Sequence, residues 1–195
     1  HIAHSLFRPP FPRAAWSEGG AYAHNLFAGR IVARPEPGRE TPWLEEHGTA
    51  IAGLAPTKGG DNRFFNNVFV APAGLDAYDD SAPPNHMAGN VFLKGAKPSK
   101  HEQSPTVDAG FDPRVALREV SGEWLLDIDQ GWDGEPGGPL VTSELLGETA
   151  VSRQPYVRPD GSPYRLDTNF FGAKSGPFPG AFAGARGESA WRVLP

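Results

Sequence analysis

Two acidic residues occupy nearly matching positions in the amino-terminal part of the sequence. Glu18 lies seven residues before Asn25, and Asp61 lies six residues before Asn67. If the two asparagines sit on successive turns of a stacked chain, the acids come about 4.8 Å apart, the spacing of neighbouring strands. Two carboxyl groups about 5 to 5.5 Å apart suit cleavage of a glycosidic bond with retention. We therefore predict Glu18 and Asp61 as a catalytic pair.

The local sequence assigns a role to each acid. Glycine stands beside both, in WSEGG and GGDN, and lets the backbone approach a ligand closely. Trp16 alternates with Glu18 and would offer an aromatic platform to a sugar ring. We expect both acids at the surface, with Asp61 as nucleophile and Glu18 as general acid. The alternative, that both are turn acids and that Asp61 forms an Asx-turn, fits at least as well.

Residues 34–53 carry further candidates on what we expect to be a long loop beside the acids. Such loops usually build the wall of a site. An Arg and a Trp suit recognition of sugar hydroxyls or of an acidic sugar, and a His can orient a carboxylate. Solvated glutamates, a Trp packed as a lid and a structural His are the alternatives. The predicted substrate-binding residues are Trp16, Arg39, Glu40, Trp43 and His47.

Three related segments predict the elements that position these residues. AHNLFAGRI, FNNVFVAPA and AGNVFLKGA each place an Asn before an aliphatic residue and a Phe, and the asparagines Asn25, Asn67 and Asn90 are 42 and 23 positions apart. A period in the twenties is about one turn of a β-solenoid, whose stacked Asn amides hydrogen-bond one another. We expect parallel stacking of the three strands, with their Phe side chains in register. Chance similarity among strands of a sandwich is the alternative.

Composition narrows the classes of protein. The 195 residues include 24 Gly and 21 Pro, which we interpret as turn residues between short strands, and 12 Phe, 5 Trp and 4 Tyr argue against disorder. A formal charge of −5 gives no electrostatic footprint for nucleic acid. No apolar run is long enough for a membrane span. The sequence has no cysteine, no initiator Met and no signal-peptide pattern, so we expect a piece of a longer chain.

Metal ligands show no pattern in the sequence, and we predict neither a metal nor a cofactor. The six histidines have no ligand spacing. Asp127, Asp129 and Asp133 allow a weak Ca²⁺ site, but the solvent face of an edge strand explains them better.

The composition changes near residue 100, where the polar segment KPSKHEQSPTVDAGFDP begins. Beyond it, VALREV and EWLLDID flank Ser121-Gly122 and predict a hairpin. Further strand candidates are LVTSELL, the YVRPDGSPYRL hairpin and AWRVL. Short strands separated by turns favour an antiparallel β-sandwich for residues 101–195, after β-helix coils in residues 1–100.

The segments WSEGGAYAHNLFAGRI, GGDNRFFNNVFV and GNVFLKGAKPSKHE resemble the carboxy-terminal part of bacterial right-handed parallel β-helix glycoside hydrolases of the β-xylosidase kind. The stretch SELLGETAVSRQPYVRPDGSPYRLDTNFFG resembles their accessory β-sandwich. The resemblance implies an enzyme acting on oligo- or polysaccharide, extracellular or periplasmic. A complete helix needs roughly ten coils and this chain supplies about three or four, so amino-terminal coils would be missing.

The predicted fold class is therefore all-β, with right-handed parallel β-helix coils followed by an antiparallel β-sandwich. The predicted function is a retaining glycoside hydrolase, or the carboxy-terminal portion of one, without a nucleic-acid or membrane partner. A non-catalytic carbohydrate-binding or structural β-module is the alternative, and a polysaccharide lyase is a weaker one.

Overall fold

The computed structural model describes residues 2–3, 6–7, 13–15, 18–132, 137–182 and 188–194. Over these residues the chain is nearly all β, with one 3₁₀ turn (Asp76–Tyr78) and one four-residue helix, α1 (Ser143–Leu146). In chain order the strands are β1 (Ile2–Ala3), β2 (Leu6–Phe7), β3 (Arg13–Ala15), β4 (Ala21–Ala23), β5 (Leu26–Phe27), β6 (Ile31–Ala33), β7 (Glu36–Leu44), β8 (Ile51–Thr57), β9 (Arg63–Phe65), β10 (Val68–Val70), β11 (His86–Ala88), β12 (Val91–Leu93), β13 (Glu102–Gln103), β14 (Thr106–Asp108), β15 (Ala116–Val120), β16 (Glu123–Asp129), β17 (Val141–Thr142), β18 (Arg165–Leu166) and β19 (Glu188–Leu194). The all-β prediction is confirmed.

Most of the short strands before residue 109 form two parallel sheets. Within the described residues one sheet has the order β1-β4-β9-β11-β13 and the other the order β14-β12-β10-β5-β2. Every pairing in both sheets is parallel. Along the chain, the strands of these two sheets alternate between one sheet and the other. The chain therefore returns to each sheet one position further along. The predicted parallel stacking is confirmed, and it extends past residue 100 to Asp108.

The three Asn repeats lie in equivalent positions on β5, β10 and β12. The Asn25 side-chain amide donates to Asn67 Oδ1 over 3.0 Å, and the Asn67 amide donates to Asn90 Oδ1 over 2.9 Å. We call this row of buried side chains the amide ladder. It is predicted correctly because a buried Asn needs partners for both its oxygen and its nitrogen, and an identical residue on the next strand supplies them.

Aromatic rings stack beside the amide ladder in the space between the sheets. The ring centroids of Phe27 and Phe69 are 4.9 Å apart, and those of Phe69 and Phe92 are 5.2 Å apart, with nearly parallel planes. Tyr22 and Phe64 form a second stack at 4.8 Å. Since alternate residues of a strand point to opposite faces, the neighbouring Val and Leu side chains of β10 and β12 face outward.

The outward face of β10 and β12 is covered by the later part of the chain. Val68 and Val91 belong to one buried cluster with Leu126, Trp132 and Phe182. Strand β16 contributes Leu126 and pairs antiparallel with both β15 and β19. The predicted hairpin at Ser121-Gly122 is confirmed, and both turn residues have positive φ, as a two-residue type I′ turn requires.

The segment LVTSELL was predicted as one strand, and this prediction is wrong. Only Val141–Thr142 is extended, and it pairs antiparallel with β18. Ser143–Leu146 is helical because Thr142 caps the helix, its hydroxyl oxygen accepting a hydrogen bond from the Leu145 N–H over 3.2 Å. The YVRPDGSPYRL hairpin is present, with Val157 bridged to Pro163 in antiparallel fashion.

Residues 36–57 form an antiparallel hairpin of β7 and β8, which we call the insertion hairpin. Strand β10 pairs directly with β5, so the first two Asn repeats are one turn of the stack apart and the hairpin projects from the connection between them. Leu44, Ile51 and Leu54 on this hairpin are largely exposed. The hairpin therefore stands out from the stacked strands, beside the position of Asp61.

Candidate functional site

A cavity of about 260 Å³ lies between the stacked strands, the insertion hairpin and a segment of the carboxy-terminal region. Pockets for small ligands usually measure about 300 to 1,000 Å³, so this one suits a single small ring. Its lining residues are Glu18, Gly19, Thr41, Pro42, Trp43, Ala55, Pro56, Thr57, Asp61, Thr149, Val151 and Ser152. Both predicted catalytic acids and one predicted substrate-binding residue thus face one cavity.

Glu18 is half-buried at the edge of the cavity. Its Oε2 accepts a hydrogen bond from the Lys58 N–H over 2.5 Å. Its Oε1 is buried, and the described residues provide no hydrogen-bond partner for it. A buried carboxylate oxygen without a partner carries a free-energy cost that a ligand hydroxyl would remove. Glu18 is therefore the acid in this cavity with a free acceptor.

Asp61 is buried, with 3% of its surface exposed, so the expectation of a surface acid is wrong. Its Oδ1 lies 2.7 Å from Arg63 Nη1, and its Oδ2 accepts a hydrogen bond from the Ala150 N–H over 2.7 Å. The carboxyl group is covered because residues 149–150 pack against Gly19 and Asp61. A Cβ on Gly19 would lie 2.9 Å from Thr149 Cγ2. The lack of a side chain at Gly19 therefore allows Thr149 of the same protein to pack closely against it.

Arg63 joins the stacked strands to residues 146–156, which we call the docked segment. The Arg63 guanidinium donates to the backbone carbonyl of Leu146 over 3.0 Å and to that of Glu148 over 2.7 Å, and it also donates to the Asp61 carbonyl. It lies 5.0 Å from the ring centroid of Tyr156, a cation–π distance. Arg63 is itself 3% exposed. It therefore fixes both Asp61 and the wall of the cavity.

Tyr156 fastens the docked segment from the other side. Its hydroxyl donates to the Gly19 carbonyl over 2.6 Å. Burial raises the pKa of Tyr156 to about 12, so the ring stays neutral and keeps its proton for this bond. Neither Arg63 nor Tyr156 is among the site residues predicted from the sequence. An Arg flanked by Asp61 and two Phe residues in DNRFFNN was the available signal, because a charged residue in an otherwise buried strand needs specific partners.

Trp43 lines the cavity from the insertion hairpin, as its predicted role requires. It is half-buried and pairs with Gly53 across β7 and β8. A Cβ on Gly53 would lie 2.3 Å from Trp43 Cζ2, so the indole lies directly over the glycine backbone and only Gly fits beneath it. This contact fixes the ring orientation and leaves the rest of the indole as a surface of the cavity.

Three other predicted substrate-binding residues, Arg39, Glu40 and His47, do not line the cavity. Arg39 and Glu40 are exposed on β7. His47 lies in the turn of the insertion hairpin, where its Nε2 is 3.3 Å from Glu46 Oε1 and both side chains are nearly half exposed. It does not contact either predicted catalytic acid. Trp16 lies outside the described residues.

No cluster of three or more His, Cys, Asp or Glu side chains that could hold a metal occurs in the described part of the chain. Asp127 forms two hydrogen bonds with Arg118, and Asp129 pairs with Arg114 over 3.0 Å. Asp133 lies outside the described residues. Among the described helices, none is long and apolar enough to span a membrane.

The structure defines a class of protein: a nearly all-β chain of stacked parallel strands with a small cavity at one side. Over 98% of its length the chain is similar to XylC, solved as a complex with xylose, with a TM-score of 0.88 and 25% sequence identity. It spans 35% of that chain. No protein-family model and no curated protein matches it. The likeness points to a carbohydrate-related protein.

Proposed function

We propose that this chain is part of a carbohydrate-active protein and binds a pentose-sized sugar in the cavity between Glu18, Trp43 and Asp61. The observation that carries the proposal is the likeness to XylC, a protein solved with xylose, over nearly the whole chain. The cavity supports it, because sugars bind where an aromatic face stands beside hydrogen-bonding groups. Trp43 supplies the aromatic face and Glu18 Oε1 supplies an acceptor.

The finer proposal is retaining hydrolysis of a glycosidic bond. Glu18 and Asp61 both line the cavity, as a two-carboxylate mechanism requires. Arg63 and the Ala150 N–H stabilise a negative charge on Asp61, which suits a nucleophile. Glu18 has an oxygen for which the described residues supply no partner, which suits a group that gives and takes a proton.

The second candidate is a non-catalytic carbohydrate-binding module, and one observation favours it. Both oxygens of Asp61 already have partners, and the residue is 3% exposed. A carboxylate that attacks an anomeric carbon must present an oxygen to the substrate, so hydrolysis would need Arg63 or residue 150 to give way. Binding of a sugar against Trp43 and Glu18 leaves both contacts of the Asp61 carboxylate intact.

Three wider features belong to this proposal. The stacked strands are coils of a right-handed parallel β-helix, with the antiparallel strands from β15 onward as a β-sandwich domain. The proposal includes further coils on the amino-terminal side in a longer protein; the chain spans 35% of XylC. The location is extracellular or periplasmic, where oligo- and polysaccharides occur. The two-domain division near residue 100 stays a prediction.

The test compares turnover with binding in one series of proteins. The wild-type chain, Glu18→Gln, Asp61→Asn and the exposed control Glu119→Gln are assayed against aryl pentosides of both anomers and titrated with xylose. For a hydrolase, Asp61→Asn lowers kcat for all substrates by about 10³-fold or more. Glu18→Gln harms poor leaving groups far more than activated ones. Circular dichroism checks that each variant is folded.

Each outcome separates the two candidates. Xylose binding without turnover of any substrate by the wild type supports the binding module and contradicts hydrolysis by this chain. If the wild type shows no turnover and no binding, the carbohydrate proposal as a whole is contradicted. The control Glu119→Gln should match the wild type in every assay, because Glu119 is exposed on β15 and does not line the cavity.

A further inference from the structure

A second cavity of about 410 Å³ lies beside the first one, on the face of β11 and β13. Its volume is within the range of about 300 to 1,000 Å³ for small-molecule sites. The polar side chains at its wall are Asn85, His86, Gln103 and Ser104, and the segment around Pro139 and Leu145 forms the opposite side. None of these residues is among the site residues predicted from the sequence.

The two cavities meet at one pair of side chains. Asp61 lines the first cavity and His86 lines the second, and His86 Nε2 lies 3.9 Å from Asp61 Oδ1. The His86 side chain is 56% exposed, so it remains accessible to a ligand. At this pair the side chains that line the two cavities therefore come to within 3.9 Å of each other.

A second row of Asn side chains holds His86 in this position. Asn85 Oδ1 accepts from the Asn62 N–H over 2.9 Å and from the Asn62 side-chain amide over 3.1 Å. The backbone N–H of His86 donates to the backbone carbonyl of Asn62 over 2.8 Å. Asn62 directly follows Asp61, and Asn85 directly precedes His86. The hydrogen bonds between the two Asn residues therefore fix the two chain segments that hold Asp61 and His86.

The groups around the second cavity suit a neutral polyhydroxyl ligand. Burial lowers the pKa of His86, and the nearby Arg63 charge lowers it further while Asp61 opposes the shift, so the imidazole is neutral near pH 7. A neutral imidazole both donates and accepts hydrogen bonds, as do the Gln103 amide and the Ser104 hydroxyl. Sugar hydroxyls need this combination of donors and acceptors.

We propose that the second cavity is a subsite for the next sugar unit of an oligosaccharide whose first unit occupies the cavity at Glu18 and Trp43. The inference rests on the proposed function and adds a chain-length preference to it. His86 contacts the ligand at the junction of the two units, and Gln103 binds the second unit.

The test is the dependence of affinity on chain length. Xylose, xylobiose and xylotriose are titrated calorimetrically into the wild-type chain, Gln103→Ala, His86→Ala, Trp43→Ala and the control Glu119→Gln. In the wild type and the control, the dissociation constant should fall by about tenfold from xylose to xylotriose, the equivalent of about 1.4 kcal/mol. Gln103→Ala and His86→Ala should reduce this gain to less than about threefold while xylose binding stays within about twofold. Trp43→Ala should weaken all three sugars.

The contrary results are distinct. Equal affinity of the wild type for xylose and xylotriose, or an unchanged gain in Gln103→Ala, overturns the subsite and leaves the first cavity intact. Absence of binding for every sugar overturns the proposed function and the subsite together. Gln103 is exposed, so its truncation should not affect folding, and circular dichroism with a thermal scan verifies this for each variant.

Discussion

The stacked strands of residues 18–108 and the later segment of residues 137–182 are held in place in different ways. In the first region β5, β10 and β12 bond to neighbours of similar sequence, and like side chains meet across the stack, as Asn67 and Phe69 meet Asn90 and Phe92. The later segment has two-residue strands, isolated bridges and one short helix. Its docking depends on single residues that reach the stacked strands.

The difference teaches where the information for each part lies. The stacked region can be predicted from the sequence because it is repetitive: one motif specifies the strand register, the core residues and the hydrogen bonds. Docking of the later segment depends on Arg63, Asp61 and Tyr156, which are separated by about ninety residues of sequence and share no pattern. The cavity is built at the boundary, so it needs both regions.

The largest effect should come from removing the residue that joins the regions. Arg63→Met leaves the buried Asp61 carboxylate without its ion-pair partner and three backbone carbonyls without their donor. Breaking a buried pair in this way costs about 3 to 5 kcal/mol of unfolding free energy. Chemical denaturation measures the loss, and limited proteolysis should cut first within residues 146–156.

The matched control is Arg118→Met, since Arg118 pairs with Asp127 at an exposed position on β15. Solvent and salt screen that pair, so the unfolding midpoint should hardly change. Equal losses in the two variants would contradict the role of Arg63 as the joint between the regions.

The next effect tests the stacked region alone. Asn67 accepts bonds from the Asn25 N–H and amide, and it donates to Asn90 Oδ1 and to the Tyr22 carbonyl. Asn67→Ala leaves these buried groups unpaired, which should cost about 2 to 4 kcal/mol. Thermal and urea unfolding provide the measurement.

Asn169→Ala serves as the comparison in the later segment. Asn169 Oδ1 accepts from the Phe171 and Ala173 N–H groups in an exposed turn, so its loss should cost about 0.5 to 1.5 kcal/mol. A smaller loss for Asn67→Ala than for Asn169→Ala would show that the amide ladder does not stabilise the stack.

The smallest effect concerns the end of the amide ladder, where a carboxylate replaces the amide. Glu102 accepts from the Asn90 N–H over 3.2 Å and from its side-chain amide over 2.8 Å. Burial raises the pKa of Glu102 to about 7, against the lowering effect of the Asn90 bonds. Between about pH 4.5 and 7 the folded chain therefore holds a proton that the unfolded chain releases, so stability falls as pH rises through this window.

The measurement is the free energy of unfolding from pH 4.5 to 8 for the wild type and Glu102→Gln. The wild type should lose about 1 to 3 kcal/mol more than the variant over this range, because Gln cannot ionise. Parallel curves for the two proteins would show that Glu102 is not linked to stability in this way.

Much of the stacked region could be predicted from residues alone. The Asn repeats specify parallel pairing and register, and the Ser121-Gly122 turn specifies the β15–β16 hairpin. LVTSELL was misassigned because its apolar residues fit a strand, and the cap at Thr142 decides in favour of a helical turn. In this segment the strand propensity of the apolar residues is outweighed by the one capping hydrogen bond at Thr142.

The candidate site could be predicted only in part. The spacing before Asn25 and Asn67 brought Glu18 and Asp61 to one cavity, and the insertion supplied Trp43. The burial of Asp61 and the roles of Arg63 and Tyr156 could not be inferred, because they depend on a segment about ninety residues away. His47 and Arg39 are in the right hairpin, but His47 lies in its turn and Arg39 is exposed in the part of β7 where the strand register is irregular, so neither lines the cavity.

The most direct test of the account is a crystal structure of the chain with saturating xylose. The account predicts one sugar ring in the cavity against Trp43, with a hydroxyl within hydrogen-bond distance of Glu18 Oε1. An empty cavity at saturating xylose, or a sugar bound only at a surface away from Glu18, Trp43 and Asp61, would contradict it.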